Sequence, residues 1–392
     1  MLTPLPVPQL DATERAHCER VHALIAGEIA ERGGWMPFMR FMELALFAPG
    51  LGYYSAGARK FGVEGDFVTA PELTPVFGAC LAGAVAGVLT ELGEGDLLEV
   101  GAGTGALAST LLAELHALGR LPRRYFILEV SGELRRRQAE ALGSMGSLAE
   151  RVVWLDAPPA DDWNGVLVAN EVLDALPVER FRLGEQGIES IGVAVTPEGF
   201  ALEARPADRA LASALGARLS GLDSLPQGYL GELSPWLGPW VESVLARLRR
   251  GLALFIDYGL PRAQYYHPSR HGGSLCGFFR HRRVEDVLAR PGLQDLTAWV
   301  DFTAVAEAGL QAGFEVAGFS TQAHFLMASG MEAQLERHAR GLSPLAARRL
   351  AQAAATLVLP GEMGERFKVI GLGRGISGAV PGFGFRDLAG SL

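Results

Sequence analysis

Residues 97–105 read LLEVGAGTG, an apolar run that turns through three alternating glycines. Leu97 to Val100 have the texture of a buried strand. Gly101, Gly103 and Gly105 leave the turn bare of side chains, so a nucleotide can approach the backbone and the N-terminus of the helix predicted to begin near Ala106. Further apolar runs lie on either side of helical stretches, at 124–128 (RYFIL), 151–155 (RVVWL), 165–169 (GVLVA), 252–256 (LALFI), 314–319 (FEVAGF) and 367–372 (FKVIGL). That alternation predicts an α/β fold with parallel strands joined by right-handed crossovers. Gly101, Gly103 and Ala106 also satisfy the Gly/Ala form of the dinucleotide fingerprint, so the loop alone leaves NAD or FAD open.

The acids clarify what such a loop serves. Glu99 sits just inside the end of the first strand, Glu129 ends the second about 25 residues beyond the glycines, and Asp156-Ala157 ends the third. A carboxylate in the place of Glu129 can accept both hydroxyls of a ribose; the lesser alternative is that Glu129 and Asp156 are exposed acids at strand ends. The fourth strand runs into ANEVLDALPVERF (169–181), which brings Asn170, Glu171 and Asp174 to the carboxyl end where open α/β sheets bind ligands. The alternative is that Glu171 and Asp174 only complement a helix dipole.

At 392 residues, 49% apolar and 20% charged, the chain is long enough for two structural units. A net charge of −9 argues against a nucleic-acid partner, which requires clustered Lys and Arg. Cys18, Cys80 and Cys276 are too few and too scattered for a disulfide framework or a zinc knuckle, and point to a reducing cytoplasm. The N-terminus has the character of neither a signal nor a transit peptide, and VFGACLAGAVAGVLT (76–90) is short for a bilayer span and fits a core helix. Helical periodicity over 13–47 predicts an N-terminal cap. The Gly-, Pro- and Tyr-rich stretch 48–75 predicts an ordered loop, and 180–204 predicts short antiparallel strands. The expected units are a cap and lid at 1–90, a core at 91–177 and 236–375, an insertion at 178–235 and a tail at 376–392.

The stretches GLGYYS (50–55), GDFVTAPELTPVFG (65–78), LLEVGAGTGALA (97–108), ILEVSGELRRRQ (127–138), ANEVLDALPVERF (169–181), LFIDYG (254–259), residues 272–306 and FKVIGLGRG (367–375) together resemble the MidA-type methyltransferases. This family includes the mitochondrial complex I assembly factor that dimethylates an arginine. The resemblance implies a class I methyltransferase, Rossmann-like, seven-stranded sheet with its last strand antiparallel, helices on both faces, and S-adenosylmethionine as cofactor. It implies that Glu99, Gly101, Gly103, Gly105, Glu129, Asp156, Ala157, Thr69 and Pro71 hold that cofactor, with Asp66 and Glu72 closing over it. Glu171, Asp174 and Asn170 face the methyl and its acceptor, an arginine of a partner protein. The chain departs from the family where Val172-Leu173 replaces two phenylalanines, and in GGSLCGFFR (272–280).

Arginine suits the acids. Its guanidinium stays protonated with a pKa above about 12, so paired carboxylates such as Glu171 and Asp174 can grip the fork and draw charge away from one nitrogen. The basic cluster of His267, His271, His281, Arg270, Arg280, Arg282 and Arg283 has no zinc spacing, and is expected to be a salt-bridged face or a partner surface. Two other classes remain to be weighed: a methyltransferase-fold assembly factor with little catalysis, and a nicotinamide oxidoreductase. Homodimerisation is left open.

Overall fold

Each of the seven runs read as strands forms one, and all seven join one sheet. In chain order they are β1 (Asp96–Val100), β2 (Tyr125–Leu128), β3 (Val152–Leu155), β4 (Trp163–Asn170), β5 (Leu248–Leu260), β6 (Glu315–Thr321) and β7 (Phe367–Arg374). Their spatial order is β6-β7-β5-β4-β1-β2-β3, and the two-residue strand Val300–Asp301 adds to the end of β5. Every pairing among β1 to β5 is parallel, whereas β7 runs antiparallel to both β5 and β6. This is the expected seven-stranded sheet, with β7, its last strand in sequence, reversed. The order of crossing changes between β1 and β4, so their carboxyl ends flank the crevice where ligands of such sheets bind.

The computed structural model describes residues 9–56, 68–222 and 224–392, which fall into two compact units. The sheet unit comprises 68–173, 238–261 and 300–392. Its core packs Leu97, Val166, Val168, Leu252 and Leu254 of the sheet against Phe77, Leu81, Val85 and Leu89 of the helix Pro75–Leu92 and Leu111 of the helix Ala106–Ala117. Pro75–Leu92 is long and apolar enough to cross a membrane by length and composition alone, yet 67% of it is buried in the protein. Each of its large apolar side chains contributes about 1.5–3 kcal/mol by this burial.

The second unit comprises 9–56, 174–237 (apart from 223) and 262–299 among the described residues. Helices Ala12–Glu31 and Phe38–Phe47 share a core with Val178, Val193, Val287, Leu288 and Leu296. The five-stranded sheet here contains the predicted antiparallel strands Glu179–Gly184, Gly187–Thr196 and Gly199–Pro206. A separate three-stranded sheet is made of Cys276–Phe279, Arg282–Val284 and Asp295–Thr297.

These units cut the chain elsewhere than the expected boundaries. Residues 68–90 belong with the sheet because the apolar helix Pro75–Leu92 covers it. Residues 262–299 belong with the N-terminal helices because Val287, Leu288, Leu296 and Ala298 complete their core. The expected tail is also part of the sheet unit. Val380 and Phe383 are buried, Phe319 N–H donates to Asp387 (2.9 Å), and Leu388 N–H donates to the Phe319 carbonyl (2.6 Å).

Candidate active site

The turn after β1 is built from its glycines. Gly101, Gly103 and Gly105 have φ of +66°, +53° and +86°, in the left-handed region where L side chains are strained. A Cβ on Gly101 would lie 3.1 Å from Val172, whereas one on Gly103 would meet nothing within 4 Å. The turn is therefore tight on its inner side and open at Gly103. Glu99, only 2% exposed, accepts from the Tyr125 hydroxyl (2.6 Å). Burial, opposed by that hydrogen bond and reinforced by the charge of Glu129, pushes its carboxyl up to about 7.

Glu129 stands at the end of β2 with 6% exposure. Its Oε1 accepts from Ser131 N–H (2.9 Å) and its Oε2 from Gln138 Nε2 (3.1 Å). Burial raises its pKa, and these donors counter the shift. Two neighbouring residues are exposed: Val130 at 74%, and Asp156 beyond β3, whose side chain is 91% exposed and paired with Arg135 (2.6 Å). Ala157 follows, also exposed. Arg135 also donates to the carbonyls of Glu129 and Leu155, both at 2.6 Å, and so ties the ends of β2 and β3 together.

Sequence reasoning assigned no role to Gln138, the last residue of the quoted stretch 127–138. It is fully buried on the helix Gly132–Gly143 and makes three bonds: Nε2 to the Gly103 carbonyl (3.0 Å), Nε2 to Glu129, and Oε1 from Trp154 Nε1 (3.0 Å). The glycine turn, the acid of β2 and the aromatic of β3 thus meet on one amide. Gln138→Leu keeps the bulk and removes all three bonds. Each buried partner left unpaired costs about 1–3 kcal/mol, so S-adenosylhomocysteine affinity is expected to fall about tenfold together with the melting temperature. Unchanged affinity in a calorimetric titration would refute this role for Gln138.

At the end of β4, Asn170 and Glu171 make a sharp exit. Glu171 has a φ of +55°, a conformation that costs a residue with a side chain about 1–2 kcal/mol. Asp257, three residues before the end of β5 and 1% exposed, supports the turn by accepting from Val172 N–H (3.2 Å) and Leu173 N–H (2.9 Å). Thr69 and Pro71 belong to the short helix Ala70–Leu73 and its N-cap, where Thr69 and Glu72 form a capping box. Ala70 N–H of this helix donates to Glu171 Oε1 (3.3 Å). Asp66 lies outside the described residues.

The structure therefore gathers Glu99, Gly101, Gly103, Gly105, Glu129, Asp156, Ala157, Asn170, Glu171, Thr69 and Pro71 in the sheet unit. Asp174 is not among them: it is the first residue of the second unit's middle segment. There it is 6% exposed, and its charge and that of Asp295 help burial to push the Tyr54 hydroxyl well up. The basic cluster is partly a salt-bridged, ring-stacked face. Arg280 pairs with Glu14 (2.6 Å), and Arg270 lies over the Trp299 ring at 4.3 Å. No group of metal-ligating side chains occurs among the described residues.

A parallel sheet with one reversed strand, a glycine turn after β1 and acids at successive strand ends define a class I methyltransferase domain. The comparisons agree. The model of a family described as S-adenosyl-L-methionine-dependent methyltransferases matches residues 80–320. The crystal structure of a superfamily member from Burkholderia thailandensis bound to S-adenosyl-homocysteine is 44% identical, with a TM-score of 0.92 over 99% of this chain and 100% of that one. Protein arginine methyltransferase NDUFAF7 of Danio rerio is 29% identical, covering 84% of this chain and 81% of that protein. Its Homo sapiens counterpart is 27% identical, covering 85% and 78%. The chain belongs to this S-adenosyl-L-methionine-dependent methyltransferase family, and its cofactor is S-adenosylmethionine.

The residues fit that cofactor. The open space at Gly103 admits a ligand against the turn, the oriented carboxylate of Glu129 suits a diol, and the exposed Val130 offers an apolar surface to a base.

Proposed function

We propose that this enzyme methylates a guanidinium nitrogen of an arginine side chain in a partner protein. The observation that carries the reading is Glu171, a carboxylate held in a strained backbone at the end of β4, where an acid can bind a cation and take its proton. The names of the animal relatives support it.

In this reading Glu129 holds the ribose hydroxyls, Val130, Asp156 and Ala157 surround the adenine, and Glu99 serves the methionine portion. Thr69 and Pro71 border the same site. When bound, the cofactor supplies an electrophilic methyl group. Glu171 orients the guanidinium fork through charged hydrogen bonds and accepts the proton that the nitrogen releases, so that a group with a pKa above about 12 becomes nucleophilic only in place. The sequence gives Asp174 the second half of that grip. Because Asp174 belongs to the other unit, the proposal rests on Glu171. All three cysteines are unbridged, which suits a reducing compartment as the setting.

The test is methyl incorporation from labelled S-adenosylmethionine into the soluble protein of a strain lacking the enzyme, followed by hydrolysis and amino-acid analysis. Label is expected in methylated arginine. Label confined to lysine, to a carboxyl side chain or to small molecules overturns the proposal.

A further inference from the structure

Glu171 Oε1 is held from two directions, by Ala70 N–H (3.3 Å) and by Asn170 Nδ2 (3.1 Å). Asn170 uses only half of its amide for this. Its Oδ1 is buried and has no hydrogen-bond partner among the described residues. Turning the amide over would not improve matters, because it would press Oδ1 against Glu171 Oε1, one acceptor against another. An unpaired buried acceptor is unfavourable, so an amide in this place carries a cost that a small apolar residue would avoid. What the chain gains is a side-chain donor to Glu171.

We infer that Asn170 is a positioning residue acting through Glu171: with the Ala70 amide it fixes one oxygen, sets the plane of the carboxylate and favours its ionised form. Two elements far apart in sequence thereby share control of one acid, the end of β4 and the helix Ala70–Leu73. The inference rests on the reading of Glu171 as the group that faces the acceptor. Among the described residues, the elements around it also carry Glu99 on β1, which pairs with β4, Asp257 on β5, Glu72 on the short helix and Lys368 on β7, which lies opposite Asp257 in register. All four stay unchanged in the test.

The experiment compares Asn170→Ala, Asn170→Ser and Asn170→Asp with wild type, using the saturating rate of methyl incorporation into the same soluble protein as a function of pH. S-adenosylhomocysteine titration serves as the control for folding and cofactor binding. Removing a donor from a carboxylate makes it easier to protonate, so the acid limb of the profile should move to higher pH in Asn170→Ala, with a rate about tenfold lower near neutrality. Asn170→Asp adds a like charge and should move the limb further. Asn170→Ser restores a donor and should bring it back towards wild type. A purely structural role would lower the rates without moving the limb. Profiles of Asn170→Ala and Asn170→Asp that superimpose on wild type, with cofactor binding intact, overturn the inference. If Asn170→Asp fails to fold, the Ala and Ser variants decide it. Wild-type turnover in Glu171→Gln sinks the underlying reading; an inactive Glu171→Gln beside unshifted Asn170 variants sinks this inference alone.

Discussion

Turnover should fall by about 10²- to 10⁴-fold when Glu171 is replaced by Gln, the range expected for loss of a positioned general base, while S-adenosylhomocysteine still binds within about twofold of wild type. The substitution is nearly isosteric. Its amide oxygen can still accept from Asn170 Nδ2 and Ala70 N–H, and the left-handed backbone is already tolerated by a residue with a side chain. What disappears is the negative charge and the ability to take a proton. An arginine acceptor depends on both, because a neutral amide neither pairs with a guanidinium nor removes its proton. Stopped assays over a pH series, together with calorimetry, separate chemistry from binding. Near-wild-type turnover would remove Glu171 from the reaction.

The second large effect is expected at Glu129. Glu129→Ala should weaken S-adenosylhomocysteine binding by about 10²-fold, since hydrogen bonds to a charged group contribute about 1.5–3 kcal/mol. The buried Gln138 amide and Ser131 N–H lose their acceptor at the same time. The wild-type protein should show a matching pH dependence. Burial raises the pKa of Glu129, so its ionised, diol-binding form is lost as pH falls through a value above the ordinary carboxylate range. Affinity should therefore be full at higher pH and begin to weaken at a less acid pH than a surface glutamate would give. Glu99, pushed up to about 7 in part by the charge of Glu129, should ionise more readily in Glu129→Ala. Titrations of wild type and variant across pH measure both effects. Equal affinity in the two proteins would show that this acid does not hold the cofactor.

The sequence by itself determined the sheet. A buried parallel strand is a short apolar run, and its crossover helix a longer periodic one, so β1 to β7 were legible from local pattern, and the glycine turn marked the end at which ligands bind. The placement of the candidate acids was legible for the same reason: Glu129, Asp156 and Glu171 stand at strand ends, and strand ends are local features. Tertiary structure alone decided how those acids are held. Gln138 reaches Gly103 across 35 residues, and Asp257 reaches Leu173 across 84. No periodicity encodes such pairings, because they arise only when the helices and strands have packed. The same holds for the unpaired Asn170 oxygen and for the left-handed Glu171, whose cost the surrounding contacts offset. Packing also drew the boundaries. Asp174 lies three residues beyond Glu171 yet belongs to the other unit, while Val380 and Phe383, at the far end of the chain, belong to the sheet. Apolar surface is buried wherever a complementary face exists, regardless of its place in the chain.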